Sequence, residues 1–197
     1  MDLDLLVGSG GVLSHAPRRE QSARMLIDAF MPEGITQLAV DSIFMMPQLG
    51  VLANIDSQEL KDDASQAALE VFDNDCLIRL GTCVAPVGKV KPNAEMAKAT
   101  LTFKDGSTKD IVINEGSLEM IEFPYEPVTI DIQPSRGIDV GAGKGESLSS
   151  TIYGGVVGLI FDGRNRPINL PKESSDRINN LLSWSDAVNE YPKGDLF

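Results

Sequence analysis

The sequence predicts an α+β chain: a short β-α-β-α unit, then antiparallel strands closing into a barrel or sandwich, then a terminal helix. Three observations carry this. Apolar residues recur at helical spacing over Ser22 to Met31, downstream of a short apolar run that ends in glycines. After Cys76 the pattern changes to short β-rich runs separated by tight turn signals. After Ser174 helical spacing returns. The implied division is 1–56 for the α/β piece, 57–75 for a polar linker, 76–171 for the β region and 172–197 for helix and tail.

The elements follow in order. Leu3 to Val7 is an apolar run of strand length that stops at Gly8-Ser9-Gly10-Gly11. Ser22 to Met31 reads as a helix with Ala23, Leu26, Ile27 and Phe30 on one face, stopped by Pro32 and Gly34. Leu38-Ala39-Val40 reads as a second strand, and Ile43 to Ala53 as a second helix with Pro47 near its start. Two short strands make a poor sheet alone, so this unit reads as part of a larger sheet, a partial α/β lobe. The linker has helical periodicity near Ala64 to Phe72. Strands then read at Leu77 to Val90, Ala99 to Phe103, Asp110 to Ile113, Leu118 to Phe123, Val128 to Gln133, Ser147 to Tyr153 and Val156 to Phe161, with Asp105-Gly106 as a hairpin turn. Ser174 or Ser175 is placed to cap the last helix, whose apolar face is Ile178, Leu181, Leu182 and Trp184; Pro192 and Gly194 mark its end.

A net charge of −12 and pI near 4.4 oppose a nucleic-acid partner, because phosphate repels an acidic surface. No apolar run approaches the roughly 20 residues that span a bilayer, and Met1-Asp2-Leu3-Asp4 lacks a basic leader. A cytoplasmic protein is expected. Cys76 and Cys83 form no CxxC pair, so neither zinc nor a disulfide is expected, and no other metal site is assigned.

Three stretches could carry chemistry. Gly8 to His15 follows a strand and leads toward a helix. Its glycines read either as a tight strand exit needing positive φ or as a turn whose backbone meets a ligand closely. No Gly-Lys-Ser/Thr follows and no G-x-G-x-x-G can be read. His15, the one histidine, has no carboxylate or cysteine beside it in sequence, and no catalytic residue is assigned. With Arg18 it is a candidate contact for an anion or an acidic partner. Ser135 to Glu146 holds four glycines with Arg136 and Lys144, a second candidate anion or partner contact, or else a flexible hairpin. Gly154 to Pro167 ends in Asp162-Gly163-Arg164, where Asp162 is placed to accept from Arg164 or turn amides.

Leu5-Leu6-Val7-Gly8-Ser9-Gly10-Gly11-Val12-Leu13-Ser14-His15-Ala16-Pro17 resembles the signature of the glutamate mutase L family. Met46 to Leu52, Gly81 to Gly88, Arg136 to Gly141 and Gly154 to Pro167 extend the resemblance along the chain in order. The family is similar to the actin-like ATPase superfamily of sugar kinases and heat-shock ATPases. The resemblance implies a C-terminal portion of such a protein, with Gly8, Ser9, Gly10 and Gly11 as the turn that contacts adenosine. The D-x-G-x-T phosphate motif of the superfamily is not found, so the chain alone is not expected to hydrolyse ATP or to hold a nucleotide tightly. For the parent protein the resemblance implies ATP with magnesium, N-terminal ATPase lobes, and service to an adenosylcobalamin-dependent mutase or aminomutase as a reactivating factor. The competing expectation is a β module that binds a protein partner and has no nucleotide role. An exposed sheet edge would offer a route to a homodimer.

Overall fold

The computed structural model describes residues 3–54 and 61–191, with side chains at 61 and 62 excepted. The expected starts at Met1-Asp2, residues 57–60 of the linker, and the stop signals Pro192 and Gly194 lie outside these residues. The chain is α+β, with several sheets and one C-terminal helix.

The elements are β1 (Leu5–Gly8), α1 (Gly11–Ser14), α2 (Arg19–Phe30), β2 (Gly34–Asp41), α3 (Met46–Ala53), α4 (Lys61–Val71) and a π-helical turn (Phe72–Cys76). Then follow β3 (Leu77–Ala85), β4 (Val87–Gly88), β5 (Glu95–Thr102), β6 (Thr108–Asn114), β7 (Leu118–Ile121), β8 (Pro127–Pro134), β9 (Ile138–Asp139), β10 (Leu148–Tyr153), β11 (Gly158–Asp162) and α5 (Ser174–Ala187).

One five-stranded sheet, ordered β1-β2-β3-β11-β7, crosses the compositional boundary near residue 60. β1 and β2 are parallel, β2 and β3 antiparallel, β3 and β11 parallel, β11 and β7 antiparallel. The two strands that looked insufficient alone are thus completed by strands from the second half. β3 and β11, expected within an antiparallel unit, pair parallel instead. The intervening strands supply the long crossover that a parallel pair requires. Gly81 and Gly158 stand opposite each other there, and a methyl on Gly81 would run into the Gly158 carbonyl. A second sheet, β10-β8-β5-β6, is wholly antiparallel and is the sandwich partner, with the Asp105-Gly106 hairpin between β5 and β6.

Alternation along β11 sorts the layers. Leu159 and Phe161 enter the core between the sheets, with Val84, Met96, Leu101, Ile130, Ile132 and Ile152. Ile160 points the other way, into a core with Leu6, Leu38, Val40, Leu80 and Cys83, covered by Ala23, Leu26 and Ile27 of α2 and by Trp184. The result is three layers: helices, mixed sheet, antiparallel sheet. A small satellite core, Leu49, Ala68 and Cys76, joins α3, α4 and the π-helical turn.

Two expected helical faces are corrected. Phe30, at the end of α2, is 49% exposed, because the chain turns away through Met31 in left-handed conformation. On α5, Trp184 is buried, while Ile178, Leu181 and Leu182 are exposed. Only the latter part of α5 reaches the sheet, where the Trp184 indole donates to the Gly116 carbonyl at 2.8 Å. The residue before α5 is Glu173, and neither Ser174 nor Ser175 caps the helix with its side chain.

Candidate functional site

β1 and β2 run side by side, so their carboxyl ends open on the same edge. In open parallel arrangements ligands bind in the crevice outside such ends. The β1 exit is Gly8 to Gly11; the β2 exit begins at Asp41.

The glycines of this turn divide by role. A side chain at Gly8 would press on Leu13 and Leu26, at 2.8 and 2.9 Å, so Gly8 serves the packing of strand against helix. Gly10 has φ of 111°, a conformation costly for any other residue. At both Gly10 and Gly11 the space a side chain would fill is open. The Gly10 carbonyl accepts from the N–H groups of Leu13 and Ser14 at 3.0 and 2.9 Å, which folds α1 immediately after the turn.

Asp41, fully buried, ties the two exits together. Its carboxylate accepts from the Ser9 hydroxyl at 3.3 Å and from the N–H groups of Met45 and Met46 at 3.2 and 3.1 Å, otherwise unpaired at the start of α3. Its backbone carbonyl accepts from the Ser14 hydroxyl at 2.6 Å. Sequence reading missed this role; the available signal was an aspartate between an apolar strand and a helix start. It also missed Phe44, which adopts φ of 59° and meets the exposed His15 ring edge-on at 5.4 Å. The edge is therefore a glycine turn flanked by an aromatic pair and braced from beneath by a carboxylate.

The four cationic candidates fall in two places. His15 lies at this edge, with Arg18 just beyond it at the start of α2. Arg18 is engaged there, its guanidinium donating to Glu20 at 3.1 Å. Arg19 donates to the Ser14 carbonyl at 2.9 Å and so closes α1. Arg136 and Lys144 are exposed on the β8–β10 connection, which packs against Gly34 at the opposite end of β2. Eight strand residues separate those ends, about 23 Å at ~3.3 Å per step, so the four do not form one anion site. The glycine loop itself is folded: Asp139 accepts from the N–H groups of Gly141 and Gly143 at 2.8 and 3.0 Å, and bridges Lys144 through backbone.

A buried charge network lies behind the mixed sheet. Asp162 accepts from Arg164 through the backbone N–H at 3.0 Å and through Nε and Nη2, each at 2.8 Å; Arg166 adds a contact at 3.0 Å. Burial alone would raise the Asp162 pKa, but the hydrogen bonds and charge of Arg164, with Arg166 beside it, outweigh that and hold it below the usual carboxylate value. Arg164 also approaches Asp28 of α2 at 2.8 Å, paired in charge but not aligned as a hydrogen bond, and lies 5.1 Å from the Trp184 ring centre. With Asp162 and Arg164 buried, this network binds β11, α2 and α5 to one another, and only its Asp28 end reaches the surface. Cys83 faces the same region, and burial, with the Asp162 charge adding, pushes its thiol up to about 12.

Among the described residues no three histidine, cysteine, aspartate or glutamate side chains converge as a metal cage, and no helix is long and apolar enough to cross a membrane. Residues 1–71, from the start of the chain through the end of α4, match the family model described as MutL protein. No curated protein and no solved structure matches the chain.

Proposed function

We propose, for a chain whose residues 1–71 match the MutL (glutamate mutase L) family model, that the edge at the ends of β1 and β2 receives the adenosine part of a nucleotide. The observation that carries this is the open glycine turn. The space where side chains would stand at Gly10 and Gly11 is open, at the carboxyl ends of two parallel strands. Gly8 packs the turn onto α2, Asp41 fixes it through Ser9, and His15 with Phe44 forms an aromatic flank suited to a planar base. The reading gives these residues nucleoside recognition and gives them no phosphate chemistry. ATP would bring magnesium with its phosphates.

The family match over residues 1–71 supports a general role in the glutamate mutase system. The finer role is that of an ATP-dependent accessory that reactivates an adenosylcobalamin-dependent mutase, with the nucleotide edge as its control point and mutase subunits as partners. Calorimetric titration of ATP and ADP with magnesium into this protein and into Gly10→Asp tests the site. Binding lost in the variant is the expected result. Equal heats from both proteins, or none from the unaltered one, would remove nucleotide recognition from this turn.

A further inference from the structure

The two sheets of the sandwich are not the same width, and the mismatch leaves a strand-shaped gap. On β2, Ile35 and Gln37 face the antiparallel sheet, where Ile35 packs into the inter-sheet core. In the parallel register Leu5 stands beside Gln37 and Val7 beside Ala39, so Leu5 and Val7 face the same way. Leu5 is nevertheless 42% exposed, whereas Leu6, on the opposite face, is buried under α2. The antiparallel sheet ends over β2, at its edge strand β10, and does not reach β1. A groove of about 330 Å³ marks the shortfall, with Ile35 and Gln37 on one wall, Leu148 and Ser150 to Ile152 on the other, and Val140 and Gly141 at one end.

The edge of β10 is also open over Ser149 to Ile152, while at its end the Tyr153 carbonyl accepts from the Thr82 hydroxyl at 2.7 Å. Among the described residues it pairs with β8 alone. An edge strand exposes a row of backbone donors and acceptors, and proteins block it with charge, proline or a bulge. β6, the other edge of the sheet, carries Lys109 and Asp110, whereas Leu148 to Tyr153 has neither charge nor proline and pairs without a bulge.

The geometry points to β10 as a strand-addition site for an extended segment of a partner protein. The added strand takes up the edge hydrogen bonds of Ser149 and Thr151 and lies over β1. Its inward side chains are apolar and cover Leu5 and Val7; its outward ones are polar, continuing Ser149 and Thr151. Asp4 at the groove and Glu146 just before β10, in a chain of net charge −12, favour a basic residue at the end of that segment. A second copy of this chain does not fit. β1 extends past β10, so bringing two β10 edges together would drive the two β1 strands into one space. A single extended segment carries no such underlying layer.

The test uses a fluorescein-labelled synthetic ten-residue peptide alternating isoleucine and threonine and ending in lysine, with an isomer in which the same residues are grouped in blocks. Anisotropy should show saturable binding of the alternating peptide, at least tenfold weaker for the blocked isomer. Affinity should fall at least tenfold in Ser150→Lys, which puts a charge into the groove, and in Leu5→Glu, which changes an exposed residue and leaves the fold intact. Hydrogen exchange should slow at β10 on binding and not at β6. No binding at ~1 mM peptide, equal binding by both variants, protection confined to β6, or sedimentation showing a dimer that Ser150→Lys dissolves would each overturn the assignment.

Discussion

Arg164 clasps the carboxylate of Asp162 two residues earlier on the same turn, through Nε and Nη2 at 2.8 Å each, and both residues are buried. The guanidinium fork matches a carboxylate in both direction and spacing, which is why arginine and not lysine suits the position. Arg166 donates to the same carboxylate and also to the Pro32 carbonyl at 2.9 Å, so the turn after β11 is fixed to the end of α2.

Removing one partner leaves buried charge uncompensated, which costs far more than the pair contributes net. Asp162→Asn is expected to destabilise the fold by about 3–5 kcal/mol. Urea denaturation followed by fluorescence of Trp184, the one tryptophan, measures it. A loss below about 1 kcal/mol would show that Asp28 satisfies both arginines unaided.

The same cluster predicts an acid dependence. The folded pKa of Asp162 lies below its unfolded value, so its stabilisation is fully present above the ordinary carboxylate range and disappears as pH falls below ~4 toward the folded value. The stability gap between the unaltered protein and Asp162→Asn should be constant from pH 7 to about 5 and should narrow below ~4. Denaturation midpoints across that range provide the check, and a gap that widens on acidification would contradict the sign.

Local grammar was legible where a pattern and its punctuation coincide. The Asp105-Gly106 turn located the β5–β6 hairpin, and the spacing of Ala23, Leu26 and Ile27 located the buried face of α2. Helical periodicity near Ala64 to Phe72 corresponds to α4. Pairing between distant strands was not legible, because nothing near Leu38 signals that its neighbours are Leu6 on one side and Gly81 on the other. The site followed the same rule. The glycine turn could be read from four adjacent residues, whereas Asp41, which braces it, lies 32 positions from Ser9. Arg136 and Lys144 resembled an anion loop by composition, yet all four glycines around them, Gly137, Gly141, Gly143 and Gly145, have positive φ, so backbone shape accounts for that composition.

Gly81 tests the parallel junction of β3 and β11. Its φ is +141°, and an added methyl would collide with the Gly158 carbonyl, a backbone atom held by the sheet. Gly81→Ala combines backbone strain with overpacking, each about 1–3 kcal/mol, so a loss of about 3 kcal/mol or more is expected. Circular dichroism with urea titration measures it. A loss under about 1 kcal/mol would mean that β3 and β11 separate easily.

Cys83 should be inert in the folded protein. It is fully buried, and burial beside Asp162 pushes its pKa up to about 12, so almost no thiolate exists at pH 8. Alkylation with iodoacetamide followed by peptide mass analysis is expected to leave Cys83 unmodified natively and fully modified in denaturant. Rapid native labelling would reveal opening between α2 and the sheet.

Gly10 and Gly11 separate a strand exit from a ligand turn, because their backbone requirements differ. Gly10, with φ of 111° and ψ of 154°, forces strain on any substitute, so Gly10→Ala should cost about 1–3 kcal/mol whether or not a ligand binds. Gly11 is the first residue of α1, has no left-handed φ, and meets nothing where a methyl would go. Gly11→Ala should therefore raise stability by about 0.4–1 kcal/mol, by reducing the freedom of the unfolded chain. If nucleotide backbone contact occurs here, that methyl occupies the approach path, and ATP affinity should fall at least tenfold while stability rises. Thermal denaturation and calorimetric titration on the one variant give both quantities. A more stable Gly11→Ala protein with undiminished nucleotide affinity would show that the turn serves only to leave the strand.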